Sequence, residues 1–338
     1  MASIFKTFSP DDKATTTTNL HEAIPITGTI VSGTYSDNNI KNYSHAMFQS
    51  VYDYPYLSSS ANHIFDITIG YSPRSSYSSS ANVQNAKKIN IYNEFAKVLV
   101  GPDTTGSIQD FDTDGNISAG GTKMTECIFL PFSRLLSKDE IKKGSVQLTF
   151  LTGGAWASPS DALTLYDAGA TTGYKVNSPA GEYGLLYTSS IGGAPAVGHV
   201  YYQAGIAVIS ASAFVNFGEP NNTAFSVENT FTASNITGAA DALRHRIQNL
   251  QYNNTTELNS TVYFCRASSN EFNYSANPTY LSSSQIVLKN FRTDIPASYV
   301  TTVGLYSADN ELLAVAKLSE PLKKDPTNEL TLRVRLDY

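Results

Sequence analysis

The chain has 338 residues, of which 41% are hydrophobic and only 15% are charged. This is the composition of a globular protein, and its charged fraction lies well below the ~25% of a typical soluble domain. The net charge of −6 and the lack of a basic run argue against a nucleic-acid partner. No apolar stretch approaches the ~18 residues that would span a membrane.

Residues 1–45 are predicted to form an extended N-terminal arm. The segment Asp11–Thr18 is polar and rich in threonine, and short strand-like segments lie on both sides of Gly28. An arm of this kind covers the core of its own chain or lies on a neighbouring subunit. The residues leave both alternatives open.

Residues 46–151 are predicted to form the first part of a β-rich core. The apolar positions within 47–52 favour a short helix that ends before Pro55, since the residue before a proline disfavours helical backbone. A strand is predicted over 64–71, because alternate residues in that segment form an apolar face.

A longer helix is predicted at Ile89–Leu99, where apolar residues recur at helical spacing and Gly101-Pro102 provides the stop. The capping-box pattern at Ser137–Glu140 predicts a second, short helix that must end before Gly144. The segment Ser145–Leu151 then alternates as a strand does.

Residues 152–235 are rich in Gly, Ala, Ser and Pro, and they are predicted to form a loop-rich insertion or subdomain. Residues 236–338 are predicted to form the C-terminal β-rich part of the core. This part begins with a helix at Ala239–Asn249, whose apolar residues lie on one side.

The last forty residues predict a three-strand meander. Strands are expected at 299–306, 312–318 and 330–338, with turn residues at 307–310 between the first two. In the final strand, residues of one parity are apolar and those of the other are polar, as in a strand with one buried and one wet face.

These elements together predict a mainly β fold of antiparallel sheets or a sandwich, with a few short helices and the C-terminal meander. Strand residues should exceed helix residues by about two to one, because only two segments show strong helical spacing.

The clearest motif for chemistry is Asp110-Phe111-Asp112-Thr113-Asp114-Gly115. Three carboxylates at this spacing followed by glycine resemble the start of a calcium loop. The bidentate glutamate expected at the twelfth position is replaced by Gly121. The motif therefore predicts either a structural calcium site of another type at Asp110, Asp112 and Asp114, or a solvated acidic turn.

Two groups of residues are candidates for an interface. Tyr52, Tyr54 and Tyr56 alternate along the chain and predict a partly buried aromatic cluster, a subunit contact or a carbohydrate platform. Arg333 and Arg335 lie on the polar parity of the final strand. They are expected to pair with acidic partners on a neighbouring subunit, or simply to keep a sheet edge soluble.

No motif predicts an enzyme. The five histidines are scattered, none forms a metal-binding spacing, and no nucleophile elbow or phosphate loop is present. No cofactor is expected apart from the candidate calcium ion. Cys127 and Cys265 are predicted to be buried free thiols, although their spacing leaves a disulfide open.

Several long stretches resemble a family of virion structural proteins of marine tailed phages with contractile tails, including those of cyanobacteria. These stretches lie at 20–73, 121–145, 177–187, 262–281 and 299–338, and they include VYFCRASSNEFNYSANPTYL and YVTTVGLYSADNELLAVAKL. They cover roughly two thirds of the chain, whereas the region of about 152–235 gives little match.

The resemblance implies a particle component that assembles in the host cytoplasm and ends up in the virion. We therefore expect a structural subunit of the tail or baseplate, with other virion proteins and copies of itself as partners. The alternatives are a receptor- or glycan-binding virion protein, whose working surface would be 152–235 and whose ligand would be a host surface glycan, or a capsid decoration or neck protein.

Overall fold

The computed structural model describes residues 5–22, 37–52, 54–117, 121–132, 140–155, 158–191, 195–214, 226–275, 277–282, 285–286, 291 and 293–338. Strands account for 42% of the residues and helices for 17%, so the predicted mainly β fold is confirmed. Within the described residues, no helix has the length and apolar character needed to cross a membrane.

Four α-helices are described, and the two predicted from helical spacing are among them, although the second ends at Arg246 and not at Asn249. They are α1 (Asn85–Leu99), α2 (Ala170–Gly173), α3 (Val227–Thr232) and α4 (Ile236–Arg246). Helix α1 ends where predicted, just before Gly101, which adopts a φ of 85°. Helix α4 starts at the cap residue Asn235, whose side chain accepts a hydrogen bond from the backbone NH of Gly238.

Twenty strands are described in the following order along the chain. The first ten are β1 (Lys13–Glu22), β2 (Ile40–Asn42), β3 (Gln49–Tyr52), β4 (His63–Tyr71), β5 (Phe111–Asp112), β6 (Lys123–Met124), β7 (Glu126–Pro131), β8 (Glu140–Ile141), β9 (Gln147–Ala155) and β10 (Ser158–Tyr166). The others are β11 (Tyr183–Leu186), β12 (Gly198–Tyr201), β13 (Ile206–Ser210), β14 (Ile247–Gln251), β15 (Asn254–Ala267), β16 (Leu281–Ser282), β17 (Gln285–Ile286), β18 (Ser298–Tyr306), β19 (Leu312–Lys324) and β20 (Leu330–Asp337).

The chain divides into two compact units. The core unit comprises residues 20–256, and the terminal unit comprises residues 1–19 together with 257–338. Composition predicts domain boundaries at residues 45, 151 and 235, whereas the contacts between residues place them at residues 19 and 256. The boundary at 256 lies within β15, whose first residues pair with β8 and whose later residues pair with β20.

The core unit is built around a seven-stranded antiparallel sheet. Its strand order is β11-β12-β13-β7-β4-β3-β2, so that β7 and β4 lie at the centre. A smaller sheet has the order β10-β9-β14. All members of the main cluster of buried apolar side chains belong to this unit, from Ile40 to Tyr252.

Helix α1 covers one face of β4. A Cβ atom at Gly70 would lie 2.7 Å from the carbonyl oxygen of Lys88 and 2.9 Å from the backbone nitrogen of Tyr92, so only glycine allows this close approach. Residues 67–71 are consequently buried on both faces of the strand, whereas the sequence predicted one apolar face. Lys88 is also buried here, and its Nζ donates to the carbonyl oxygens of Phe231 and Ser234 at 2.8 and 2.7 Å.

Three sheets are described in the terminal unit. One has the order β1-β15-β20, the second is the short pair of β16 and β17, and the third is the hairpin of β18 and β19. Residues 260–267 pair in antiparallel register with 330–337. The burial pattern of β20 alternates as predicted, with Leu330, Leu332, Val334 and Leu336 covered and the residues between them exposed.

The predicted C-terminal meander is wrong in its last connection. Strand β20 pairs with β15 and not with β19. Alternation in sequence specifies which face of a strand is buried, but it does not specify the neighbouring strand. The chain leaves β19 through a turn held by Asp325, whose backbone NH and Oδ1 bind Asn328 and Thr327, and this turn leads to the sheet with β15.

Three further predictions can be compared with the structure. The short helix before Pro55 is wrong, because the segment forms β3, which pairs with β2 and β4 on its two sides. Part of the arm at 1–45 forms β1, which lies in a sheet of its own chain. Residues 40–42 of the arm form β2 in the seven-stranded sheet, whereas its residues 1–4 and 23–36 lie outside the described residues. The short helix predicted from the capping box at Ser137–Glu140 is wrong in its described part, because Glu140–Ile141 form β8, and residues 137–139 lie outside the described residues.

Candidate interaction surfaces

The acidic loop is tied to the core unit by ion pairs. The Asp110 carboxylate is buried and accepts a hydrogen bond from Arg74 Nε at 2.7 Å. Asp112 is also buried and forms an ion pair with Lys123, while its carbonyl oxygen accepts a hydrogen bond from His199 Nε2 at 2.6 Å. Burial of the imidazole lowers the pKa of His199 to about 4.

The third carboxylate, that of Asp114, is hydrogen-bonded within its own loop. Asp114 accepts hydrogen bonds from the backbone NH and the side-chain amide of Asn116, and the backbone bond is the main cause of its lowered pKa. Among the described residues, no three His, Cys, Asp or Glu side chains are grouped as a metal ion requires. The loop in this arrangement does not fit calcium, since Asp112 is already neutralised by Lys123. Calcium binding stays a prediction that requires Lys123 to leave.

The three tyrosines lie at the end of β3 and in the loop after it. Tyr52 is half buried, and its ring lies 5.4 Å from the His63 ring and 6.3 Å from that of Tyr56. Tyr54 is 55% exposed. The structure therefore brings Tyr52 and Tyr56 together and leaves Tyr54 at the surface, and an interface here stays a prediction.

A polar cluster beside these tyrosines has no signal in the sequence. Asp66 Oδ1 accepts from Ser50 Oγ at 2.5 Å and lies 2.6 Å from His63 Nε2. A nucleophilic serine would have to bond to the histidine base. Here the serine and the histidine both bind the aspartate, so the cluster joins β3 to β4 and is not arranged as a catalytic triad.

The two arginines of β20 lie on the solvent face, as predicted. Arg333 is exposed, and Arg335 Nε donates to Asp337 Oδ1 at 2.8 Å and to Ser260 Oγ at 2.7 Å. Asp337 follows on the same strand and Ser260 lies on the neighbouring strand, so Arg335 is already paired within the chain. A contact with an acidic partner stays a prediction.

A groove of about 820 Å³ lies within the terminal unit. Its lining includes Cys265 of β15, Leu332 of β20, residues 298–306 of β18 and the aromatic rings of Phe5 and Tyr274. The cysteines are both free, with Cys127 buried in β7 and Cys265 half buried beside this groove.

Two of the three cations that line the groove are paired with carboxylates. Lys6 Nζ lies 2.5 Å from Glu271, and Arg266 Nε lies 2.7 Å from Asp12. Lys13, the third cation, lies with its Nζ 5.9 Å from the centroid of the Phe8 ring, and the lining mixes polar with apolar side chains.

The outer face of the β18–β19 hairpin exposes apolar side chains. Leu312, Leu313 and Val315 are 53%, 67% and 52% exposed. We call these three residues the ridge; none of them lines the groove. The sequence signal was the pair of adjacent leucines, which breaks the alternation of a strand with one buried face.

Comparison with models of protein families, with characterised proteins and with solved structures finds no match to this chain. Its role must therefore be argued from the fold and surfaces described above.

Proposed function

We propose that this protein is a structural subunit of a bacteriophage particle, located in the tail or baseplate, and that it acts by binding neighbouring subunits. The observation that carries the proposal is the uncovered apolar surface of the terminal unit. Among its described residues, only Leu305 and Val334 are buried apolar side chains, with 6% and 8% of their surface exposed.

Exposed apolar side chains are numerous in the same unit. They include the ridge and also Tyr299, Phe291 and Ile295, each more than half exposed. Exposed apolar side chains are unfavourable in water, because each Å² of apolar surface removed from water contributes about 25 cal/mol. A neighbouring subunit that covered this unit would supply the burial that its own chain does not.

The core unit has the opposite character. It buries a large apolar cluster and carries a net charge of −5, from 13 basic and 18 acidic residues. We infer that it is the stable body of the subunit and that the terminal unit makes the contacts. The resemblance to virion structural proteins of tailed phages supports the same role, as does the low overall content of charge.

The test is to look for the chain in purified particles of its phage and to map its contacts by chemical cross-linking and mass spectrometry. The exposed Lys317 and Lys323 of the terminal unit are expected to cross-link to other subunits. Lys97, which is exposed on α1 in the core unit, is the matched control and should cross-link less. Absence of the chain from washed particles would refute the proposal, and equal labelling of both units would refute the assigned contact surface.

A further inference from the structure

Strand β20 has one edge with which no strand pairs in the described part of the chain. Its sheet has the order β1-β15-β20, so β15 covers one edge of β20 and the other edge is open. The strand contains no proline, and its register with β15 runs from 330 to 337 without a bulge. Prolines and bulges are common means of preventing an open edge from pairing, so this regular edge is able to accept a further strand.

The register identifies the backbone groups that face the open edge. Tyr338 and Asn259 exchange two backbone hydrogen bonds, with N···O distances of 2.8 and 3.0 Å. In an antiparallel pair such bonds recur at every second residue, and the residues between them direct their NH and C=O groups away from the partner strand. The open edge therefore presents the backbone groups of the four residues of the other parity, which are Thr331, Arg333, Arg335 and Asp337.

The side chains of this parity place positive charge beside the open edge. Arg335 Nε lies 2.8 Å from Asp337 Oδ1, whereas Arg333 is exposed and has no hydrogen-bond or ion-pair partner among the described residues. Residues directly opposite each other on paired strands project their side chains on the same face, where opposite charges attract and like charges repel. An added strand is therefore bound most favourably when it places an acidic side chain opposite Arg333.

The same charges disfavour a second copy of β20 as the added strand. Two antiparallel copies that paired about Val334 would place Arg333 of each copy opposite Arg335 of the other, and like charges directly opposite each other are destabilising. The open edge consequently favours a strand of a different and acidic sequence.

We propose that the open edge of β20 binds an extended segment of a neighbouring virion protein that carries acidic residues at positions i and i+2. The two acidic side chains lie opposite Arg333 and Arg335, and an apolar residue between them lies opposite Val334 on the covered face of the sheet. Main-chain hydrogen bonds supply affinity, and the two arginines set the register. The inference rests on the proposed assembly function and names the chemistry of one partner.

The first experiment measures binding of the synthetic peptide TVEVEVTV, flanked by glycine and serine, to the full-length protein by titration calorimetry. The charge-reversed peptide TVKVKVTV is the control. We expect the acidic peptide to bind at least about tenfold more tightly than the basic one, with an affinity that falls as salt is added. The double variant Arg333→Glu, Arg335→Glu should reverse this preference. Val176→Glu, at a position of the core unit that is 70% exposed, should leave it unchanged.

The second experiment tests whether the peptide pairs with the backbone of β20. Hydrogen exchange measured at single amides by NMR should show that the peptide protects Arg333 and Arg335, whereas β15 already protects Leu332 and Val334. Thr331→Pro removes one NH from the open edge but keeps both arginines, so it should weaken binding without a change of charge. Circular dichroism checks that each variant is folded, and the exchange pattern is decisive on its own where Thr331→Pro fails that check.

Four results would overturn this inference: no binding of the acidic peptide, equal affinity for the two peptides, an unchanged preference in the double variant, or binding without protection of Arg333 and Arg335. These results differ from failure of the proposed function. A chain that is cross-linked to its neighbours in washed particles but binds no acidic peptide would refute only the added strand. A chain that binds the acidic peptide but is absent from particles would refute only the virion role.

Discussion

The core unit and the terminal unit use similar strands to build very different interiors. In the core unit, both faces of β4 are covered, and the rings of Phe95 and Phe129 stack with centroids 4.2 Å apart in the interior. In the terminal unit, the hairpin of β18 and β19 is a two-stranded sheet with many exposed apolar residues. Two-stranded sheets are marginal in water unless something packs on them.

This difference shows that strand content alone does not make a stable domain. Strands pair through their backbones, but most of the stabilisation comes from apolar side chains removed from water. The core unit buries a large apolar cluster within its own fold, whereas the terminal unit leaves most of its large apolar side chains partly or fully exposed.

Removal of β20 is expected to have the largest effect. A chain that ends at residue 328 loses the antiparallel partner of 260–267 and the apolar face of β20. Hydrogen exchange measured by mass spectrometry should show loss of amide protection in 260–267, whereas β4 and β7 should remain protected. Arg333→Ser in the full-length chain is the control, since it changes only the solvent face. Loss of protection throughout the core unit as well would show that the two units unfold together.

Truncation of a core ring should have the next largest effect. Phe129 is fully buried among Tyr92, Phe95 and Phe111, so Phe129→Ala should lower the free energy of unfolding by about 3–5 kcal/mol. Val315→Ala on the ridge should change it by no more than about 0.5 kcal/mol. Urea unfolding followed by circular dichroism measures both. Similar losses for the two variants would contradict the contrast between the units.

Two buried groups, His199 and Asp167, are expected to change the stability of the core unit with pH in opposite directions. The pKa of His199 falls from 6.5 to about 4 on burial, so the unfolded chain takes up the proton first. Stability contributed by neutral His199 is complete above pH 6.5 and is lost as the pH falls toward 4, by about 3 kcal/mol at most. His199→Gln should flatten this loss, as measured by the melting temperature between pH 7 and pH 4.

Asp167 acts in the opposite direction over an overlapping range. Burial raises its pKa from 3.8 to about 6, although its carboxylate accepts hydrogen bonds from the backbone NH groups of Gly144 and Val146. The folded state therefore binds this proton more tightly and gains stability as the pH falls from about 6 toward 4. Asp167→Asn should make the acid-induced loss of the natural chain steeper. If neither variant changes the pH profile, the two groups do not control it.

Calcium should have the smallest effect. If Asp110, Asp112 and Asp114 bind calcium with the affinity of a weak extracellular site, millimolar ion should add about 1 kcal/mol of stability, because the ion must displace Lys123 from Asp112. Chelator should then lower the melting temperature of the natural chain but not of Asp112→Ala. Identical melting temperatures with and without calcium would refute the calcium site. The acidic loop would then be a turn held by the ion pairs of Asp110 with Arg74 and of Asp112 with Lys123.

Sequence alone determined the class of the fold and its most regular elements. Helices α1 and α4 follow from apolar residues at helical spacing together with their stop and cap signals, and the alternation in β20 identifies its buried and exposed faces. These features depend on residues close together in the chain. The same local signals indicated that Arg333 and Arg335 lie in solvent.

Only the tertiary structure decided which strands pair and which apolar faces are covered. Strand β20 pairs with β15 and not with the adjacent β19, and the apolar segment at 49–52 became a strand because β2 and β4 pair with it on both sides. The carboxylates of Asp110 and Asp112 bind Arg74 and Lys123 rather than converging. Leu313 of β19 remains exposed, because no described part of the chain covers that face of the strand. Each of these outcomes depends on partners distant in the chain, and alternation or spacing along one segment carries no information about them.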